Sequence, residues 1–316
     1  MKEANKIDFA VGGQAVIEGV MMRSPNYTVV SVRKESGEIV EDKNFYQNIS
    51  TRVKLLALPL VRGVINMFEM MYIGTKALTF SSKQAMEDLE SENEKKAKSE
   101  KAENIGLIFS IIFSLIFSIF LFKFVPLWLT QIISNSSSIV EQNYVLFNFI
   151  DGIIKTAIFI GYIALLTMLP DIKRVFQYHG AEHKSIMTYE EGHELTVENA
   201  KKQPRFHPRC GTSFILIVFV SSIFVYTFVP KHPDFVINFV LRVAFLPIIA
   251  GVAYELLKLT AKHQSSAIFR IMTVPGLWMQ RLTTKEPDDK MLEVALNSLK
   301  LSLQLEKEHA KDKPIR

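Results

Sequence analysis

Four stretches of the chain drop their polar residues for longer than a buried core helix needs. Ile105–Phe122 runs for 18 residues without a charge, and Cys210–Pro230 for 21. A bilayer's hydrocarbon is about 30 Å thick and takes roughly 20 apolar residues in a helix. The pattern therefore predicts spans at about 105–128, 147–169, 212–230 and 235–256, and a purely soluble protein is not expected. Ahead of them, residues 1–48 alternate as strands do. Gln14–Met22, Tyr27–Arg33 and Glu38–Tyr46 are β-branched or aromatic, with a turn at Glu35-Ser36-Gly37, which predicts a small β-rich cytoplasmic domain.

Residues 49–81 are apolar but interrupted by Lys54, Pro59, Arg62, Gly63, Glu69 and Lys76. Each charge costs about 2.5–3.5 kcal/mol at the centre of a bilayer. Two amphipathic helices lying at the interface are expected there, in preference to a re-entrant hairpin broken at Pro59 or Gly63. Residues 82–104 are rich in Glu, Lys, Ser and Ala and read as a charged linker or helical stalk. The fold class expected is thus mainly α: a four-helix transmembrane domain over 105–261 with a cytoplasmic loop at 171–212, cytoplasmic amphipathic helices, the small β-rich domain, and a cytoplasmic C-terminal tail over 262–316.

Loop charges orient this arrangement. Thr130–Gln142 carries no Lys or Arg and Pro230–Asp234 only Lys231, whereas Asp171–Thr212 carries seven. Basic residues favour the cytoplasmic side, so both termini and the long loop are expected in the cytoplasm of a multi-pass inner-membrane protein. The net charge of +5 is explained by these flanks, and no nucleic-acid partner is expected; the partners expected are the lipid bilayer and a membrane-associated substrate or protein. One cysteine, Cys210, excludes an internal disulfide, and the first 13 residues lack the apolar core of a signal peptide.

Candidate chemistry concentrates in the loop. Of seven histidines, four fall within His179–His207, and Cys210 follows. His179-Gly180-Ala181-Glu182-His183 spells His-x-x-Glu-His, the inverted zinc-protease pattern. On a helix the two histidines share a face and can hold one divalent metal, zinc being the natural choice, with Glu182 placed to act on a water. The third ligand is expected from His207 or Cys210 in the turn His207-Pro208-Arg209-Cys210, or from Glu255 at the cytoplasmic end of the fourth span. Gly180 weakens the helix by roughly 1 kcal/mol. The inverted zinc proteases are soluble α+β proteins, so the motif alone does not bring their activity. A cluster of all four groups would be a structural zinc knot rather than a catalyst. His193 reads as solvated loop, and His232 and His309 carry no chemistry.

Within the spans, Asp151, Lys155 and Arg242 are the costly residues, and a structural clamp in which Asp151 meets both cations is expected. Gly12-Gly13-Gln14 and Gly19 suggest tight turns, from which Glu18 could reach the histidine face as a second catalytic carboxylate.

Taken in order, Gly12–Arg23, Tyr178–Lys184 and His207–Ser213 resemble the YqhQ family, bacterial membrane proteins catalogued as a domain of unknown function and labelled a predicted metal-dependent enzyme. The resemblance covers almost the whole chain. It implies a metal-dependent membrane enzyme and directs attention to Glu18, Arg23, His179, Glu182, His183, His207, Arg209 and Cys210. A metal-dependent hydrolase of a membrane-associated substrate and a non-enzymatic scaffold or assembly factor are the two readings carried forward. A transporter is the weakest, because no inverted repeat is visible.

Overall fold

A computed structural model describes residues 11–49, 53–86, 100–208, 210–229, 232–262 and 267–312. Most of the expected charged linker, together with Arg209 and His263, lies outside the described residues. The N-terminal part is a four-stranded antiparallel meander: β1 (Gly12–Val16), β2 (Gly19–Arg23), β3 (Tyr27–Arg33) and β4 (Ile39–Phe45). What reads in sequence as one strand over Gln14–Met22 is two. Val16 pairs with Gly19, and the two residues between them turn the chain, Glu18 taking a left-handed φ of 51°. Gly37, at φ 91°, closes the β3–β4 turn.

Both faces of the sheet are covered, which explains why β2 and β3 are apolar almost throughout. Val20 and Met22 pack with Tyr178, Ala181, Leu296 and Leu299 on one side. Met21, Val30 and Val32 pack with Ile73 and Ala77 on the other. The second cover is α1 (Val61–Met86), a single 26-residue helix where two shorter ones are expected. A 3₁₀ turn at Lys54–Ala57 precedes it, and Pro59 falls in the connection, outside the helix it would have broken.

The first cover corrects the C-terminal expectation. Residues 267–312 are two helices rather than a tail, α11 (Ala267–Thr283) and α12 (Asp289–Asp312). The apolar face of α12 (Met291, Leu292, Ala295, Leu299) lies in the largest core cluster. Its polar residues also engage the sheet: Ser298 Oγ donates to Val29 O at 2.8 Å, and Glu306 accepts from Ser24 Oγ at 2.8 Å and Asn26 N at 3.1 Å. Arg33 and Glu293 pair at 2.6 Å.

Between these come the apolar helices. α2 (Glu100–Ile119) runs through a π-helical turn at Phe120–Phe124 into α3 (Val125–Asn135); α4 (Ser138–Gln142) is a single turn, and α5 (Tyr144–Leu166) follows. α6 (Pro170–Glu190) and α7 (Val197–Lys202) form the loop region. α8 (Gly211–Thr227), α9 (Phe235–Ala244) and α10 (Leu246–Lys262) complete the set. Among the described residues, two uninterrupted helical stretches, Ile108–Asn135 and Tyr144–Leu166, are long and apolar enough to cross a membrane; α9 and α10, bent by 42°, make a third if counted as one span. The apolar part of α8 is shorter. The large apolar side chains from Ile108 to Phe117 are 46–69% exposed.

The expected clamp is present. Asp151 Oδ2 lies 3.0 Å from both Lys155 Nζ and Arg242 Nη1. Arg242 also donates to Asn148 Oδ1 and sits 4.5 Å above the Tyr226 ring, while Tyr226 Oη donates to Arg242 O at 2.7 Å. The Asp151 carboxylate thus ties α5 to α9 through Arg242, and Arg242 in turn meets Tyr226 of α8. Replacing Asp151 with Ala strands two buried cations and should cost about 3–5 kcal/mol, read as a lower thermal midpoint of the detergent-purified protein. An unchanged midpoint would show that the cations are hydrated.

Candidate metal centre

The histidine motif sits on a helix of its own. α5 ends in a turn at Thr167–Leu169, and Pro170 opens α6 with Asp171 in its first turn, a favourable start because proline needs no N–H donor there and the acid faces the helix dipole. The run Asp171–Tyr178 is therefore a new helix and not an extension of the second span. Tyr178, Ala181 and Ile186 turn into the core, leaving His179, Glu182 and His183 on the adjoining face.

Gly180 lies on the side toward the α11–α12 connection. A Cβ there would stand 2.1 Å from Lys285 O, and Lys285 N donates to Phe176 O at 2.8 Å. Glycine here is the condition for close approach, at the expense of helix propensity.

The two imidazoles stand with ring centroids 4.4 Å apart. His179 Nδ1 lies 2.8 Å from Thr283 O, and His183 Nδ1 lies 2.6 Å from Arg205 O. A carbonyl only accepts, so each Nδ1 carries the proton and each Nε2 presents a lone pair. Thr283 ends α11, where the last carbonyls have no partner within the helix. Burial, with the neighbouring His179 and His207, holds the His183 pKa well below the usual range, against the opposing effect of the Arg205 carbonyl, so the ring is neutral at neutral pH.

Cys210, buried ahead of α8, closes the group. Its Sγ is 3.2 Å from His179 Nε2, and the three ligand atoms of His179, His183 and Cys210 all lie within 4.8 Å of one another. Ligands bound tetrahedrally to one zinc at about 2.0–2.3 Å stand roughly 3.3–3.8 Å apart, so small side-chain adjustments bring these three to bonding distance.

Glu182 is buried beside them, its Oε2 3.8 Å from His179 Nε2 and 3.7 Å from His183 Nε2. Burial raises its pKa to about 7, with His179 opposing. Among the described residues none donates a hydrogen bond to this carboxylate. Two imidazole lone pairs and a carboxylate thus converge with, among the described residues, the Cys210 thiol as the one donor beside them, a concentration of acceptors that a cation relieves. The β-sheet reaches the site through Gly13: a Cβ there would lie 2.6 Å from Glu182 Cγ.

The other expected residues are placed differently. His207 lies next to the group, its ring 5.7 Å from that of His183, but its Nε2 faces Glu190 Oε2 at 3.2 Å. Burial lowers its pKa to about 4. Glu255 is bound by Arg62, whose Nε donates at 2.7 Å, and stands outside the ligand group. Glu18 accepts from Arg174 and, at 3.3 Å, from Tyr178 Oη, tying the β1–β2 turn to α6 rather than entering the cavity. His193 is exposed beside Glu191.

Gln280, Gly13 and the backbone carbonyls of Arg205 and Thr283 are absent from the sequence-based set. Gln280 clasps the His207 backbone, accepting at 2.8 Å and donating at 2.7 Å. Its one signal in the sequence is a lone amide directly after the apolar run Leu277–Met279.

His179, Glu182, His183, His207 and Cys210 line a cavity of about 750 Å³ with Gly12, Gly13, Gln14, Met21, Arg23 and Met70. The family model described as a protein of unknown function, DUF1385, matches residues 58–305, a stretch containing the ligand group, its carbonyl anchors and most of α12. The chain belongs to the DUF1385 family. A relative described as uncharacterized protein YqhQ, from Bacillus subtilis (strain 168), is 38% identical over 306 residues, covering 96% of this chain and 95% of its own length. The match bears out the resemblance drawn from the three motifs. No solved structure matches.

The close approach at Gly180 gives a test in which two effects oppose each other. Gly180→Ala improves helix propensity by about 1 kcal/mol but forces a methyl onto the Lys285 carbonyl, costing about 1–3 kcal/mol. A lower thermal midpoint is expected; a higher one would mean that α6 and the 285 backbone are not in contact.

Proposed function

We propose that this chain is an inner-membrane metalloprotein whose His179–His183–Cys210 group holds one divalent ion, most naturally zinc, and acts as a metal-dependent hydrolase on a membrane-associated substrate. The observation that carries the reading is the orientation of the two imidazoles, each fixed by a backbone carbonyl so that its Nε2 lone pair faces the Cys210 thiol and Glu182. Three protein ligands, two nitrogens and a sulfur, are the set that leaves a catalytic zinc an open position.

A bound ion supplies Lewis acidity and lowers the pKa of a water to about 7. Glu182 is the group placed to take that proton, since its carboxylate is buried and lies within 4 Å of both ligating nitrogens. His207, held by Glu190 and Gln280, braces the wall of the site. Glu18 has no part in this chemistry; its carboxylate is taken up by Arg174 and Tyr178.

Membrane placement is part of the same proposal. The exposed apolar faces of α2 and α3, the apolar α5 and α8, and the bent α9–α10 pair supply four crossings. The basic α6–α7 region and both ends of the chain then lie on the cytoplasmic side. One observation favours the alternative of a scaffold with a structural cluster: Cys210 already contacts His179 at 3.2 Å.

Elemental analysis of the protein purified without chelators should find about one zinc per chain, lost from a His179→Ala/His183→Ala variant. The absence of metal after zinc loading would sink the metal reading. Glu182→Gln should keep the metal and lose cellular function; a scaffold would tolerate it.

A further inference from the structure

A second cavity adjoins the first. It encloses about 650 Å³ between α1, α8 and α10 and is lined by Met67, Met71, Leu78, Phe214 and Leu257 among others, a volume within the usual range for small-molecule sites. Its polar residues are few, and two of them, Asn66 and Tyr254, hydrogen-bond each other at 2.7 Å. A peptide backbone placed there would bury amides with little to receive them, whereas a hydrocarbon chain needs nothing more than the lining offers.

Gln14, Met70, Gly211 and Ile215 line both cavities and so mark their junction. Arg23 stands at that junction, one guanidinium nitrogen donating to the Met70 thioether and another to Asn48. It makes no ion pair among the described residues. Of the acidic groups it faces, Tyr46 lies under its guanidinium at 5.3 Å, and Glu69 accepts from Ile49 N at 2.6 Å. A thioether is a weak acceptor, which leaves the guanidinium able to bind an oxyanion.

We propose that the two cavities form one site for an anionic amphiphile, with a hydrocarbon chain along α1, α8 and α10, an acidic group on Arg23 at the junction, and the adjacent bond facing the His179–His183–Cys210 group. The proposal rests on the metal-centre reading for what happens at that bond, but the binding itself does not require the ion. The mouth of the groove fits this occupant. Met71 and Leu78, 57% and 40% exposed, line it from α1, and α8 and α10 are membrane helices in the proposed topology. A lipid can then enter sideways from the bilayer, tail first.

The test uses the full chain in amphipol and displacement of a fluorescent 16-carbon fatty acid. Hexadecyl phosphate should compete, with affinity falling about fourfold for each methylene removed. Hexadecanol should bind at least tenfold more weakly, and millimolar inorganic phosphate should not compete. Leu257→Trp, which narrows the groove, should remove the dependence on chain length while the visible spectrum of the cobalt-substituted protein stays unchanged.

Gly211→Leu serves the same purpose at the junction, where a Cβ meets open space, should the tryptophan variant fail to fold. Arg23→Gln should erase the preference for phosphate over alcohol, and Arg23→Lys should restore part of it. Equal affinity for all chain lengths, competition by phosphate alone, or unaltered binding in both groove variants would overturn the proposal. A cobalt spectrum without chain binding rejects the amphiphile site alone; chain binding that survives in His179→Ala/His183→Ala, with no cobalt spectrum in the parent protein, rejects the metal reading alone.

Discussion

The arrangement turns on two hydrogen bonds from imidazole Nδ1–H groups to backbone carbonyls. Each bond fixes a tautomer, and with it the direction of a lone pair, so both must be satisfied before His179 and His183 can face one point. The two carbonyls come from distant parts of the chain. One is the free end of α11; the other lies in the turn after α7, whose neighbour His207 is clasped on both backbone faces by Gln280 of α11. A single helix thus supplies one anchor and steadies the other, and both depend on where α11 stands relative to α6.

That relation is set by packing. α6 is held in the core by Tyr178, Ala181 and Ile186, against α12 and the sheet. Its polar face is left for the ligands, and the Gly180 approach seats it on the α11–α12 connection. The sheet contributes no ligand but gives Glu182 its confinement, because Gly13 leaves room for the carboxylate and no more. The same burial raises the Glu182 pKa and depresses those of His183 and His207. Packing and acid–base behaviour therefore have one cause.

Much of this was legible wherever the signal is local. The i,i+4 histidines and intervening glutamate, the cysteine after the His207 turn, the Asp151 clamp among the apolar helices and the β-rich start of the chain each follow from residue type and spacing. What escaped depends on tertiary contacts. Glu255 reads as a ligand from its height in the span, but Arg62 takes it. His207 is near in space yet turned to Glu190. Nothing in residues 289–312 announces that a charged, amphipathic segment completes the core; its apolar positions are at helical spacing, but the surface they cover is a sheet more than 250 residues away. Gly180, read as a weakness in the helix, is the contact that seats it.

The role of α12 bears on the order in which the molecule can be built. The sheet leaves the ribosome well before α12, and its Val20 and Met22 face has to wait for Leu296 and Leu299. In the interval the apolar helices are synthesised, while an open β-surface and an unanchored pair of histidines remain beside them. Chains caught in that state expose the strands and side chains that favour association with one another. α12 therefore shuts a nascent intermediate as well as completing a core, and a histidine pair with both carbonyl anchors in place forms only after α11 and α12 have been made.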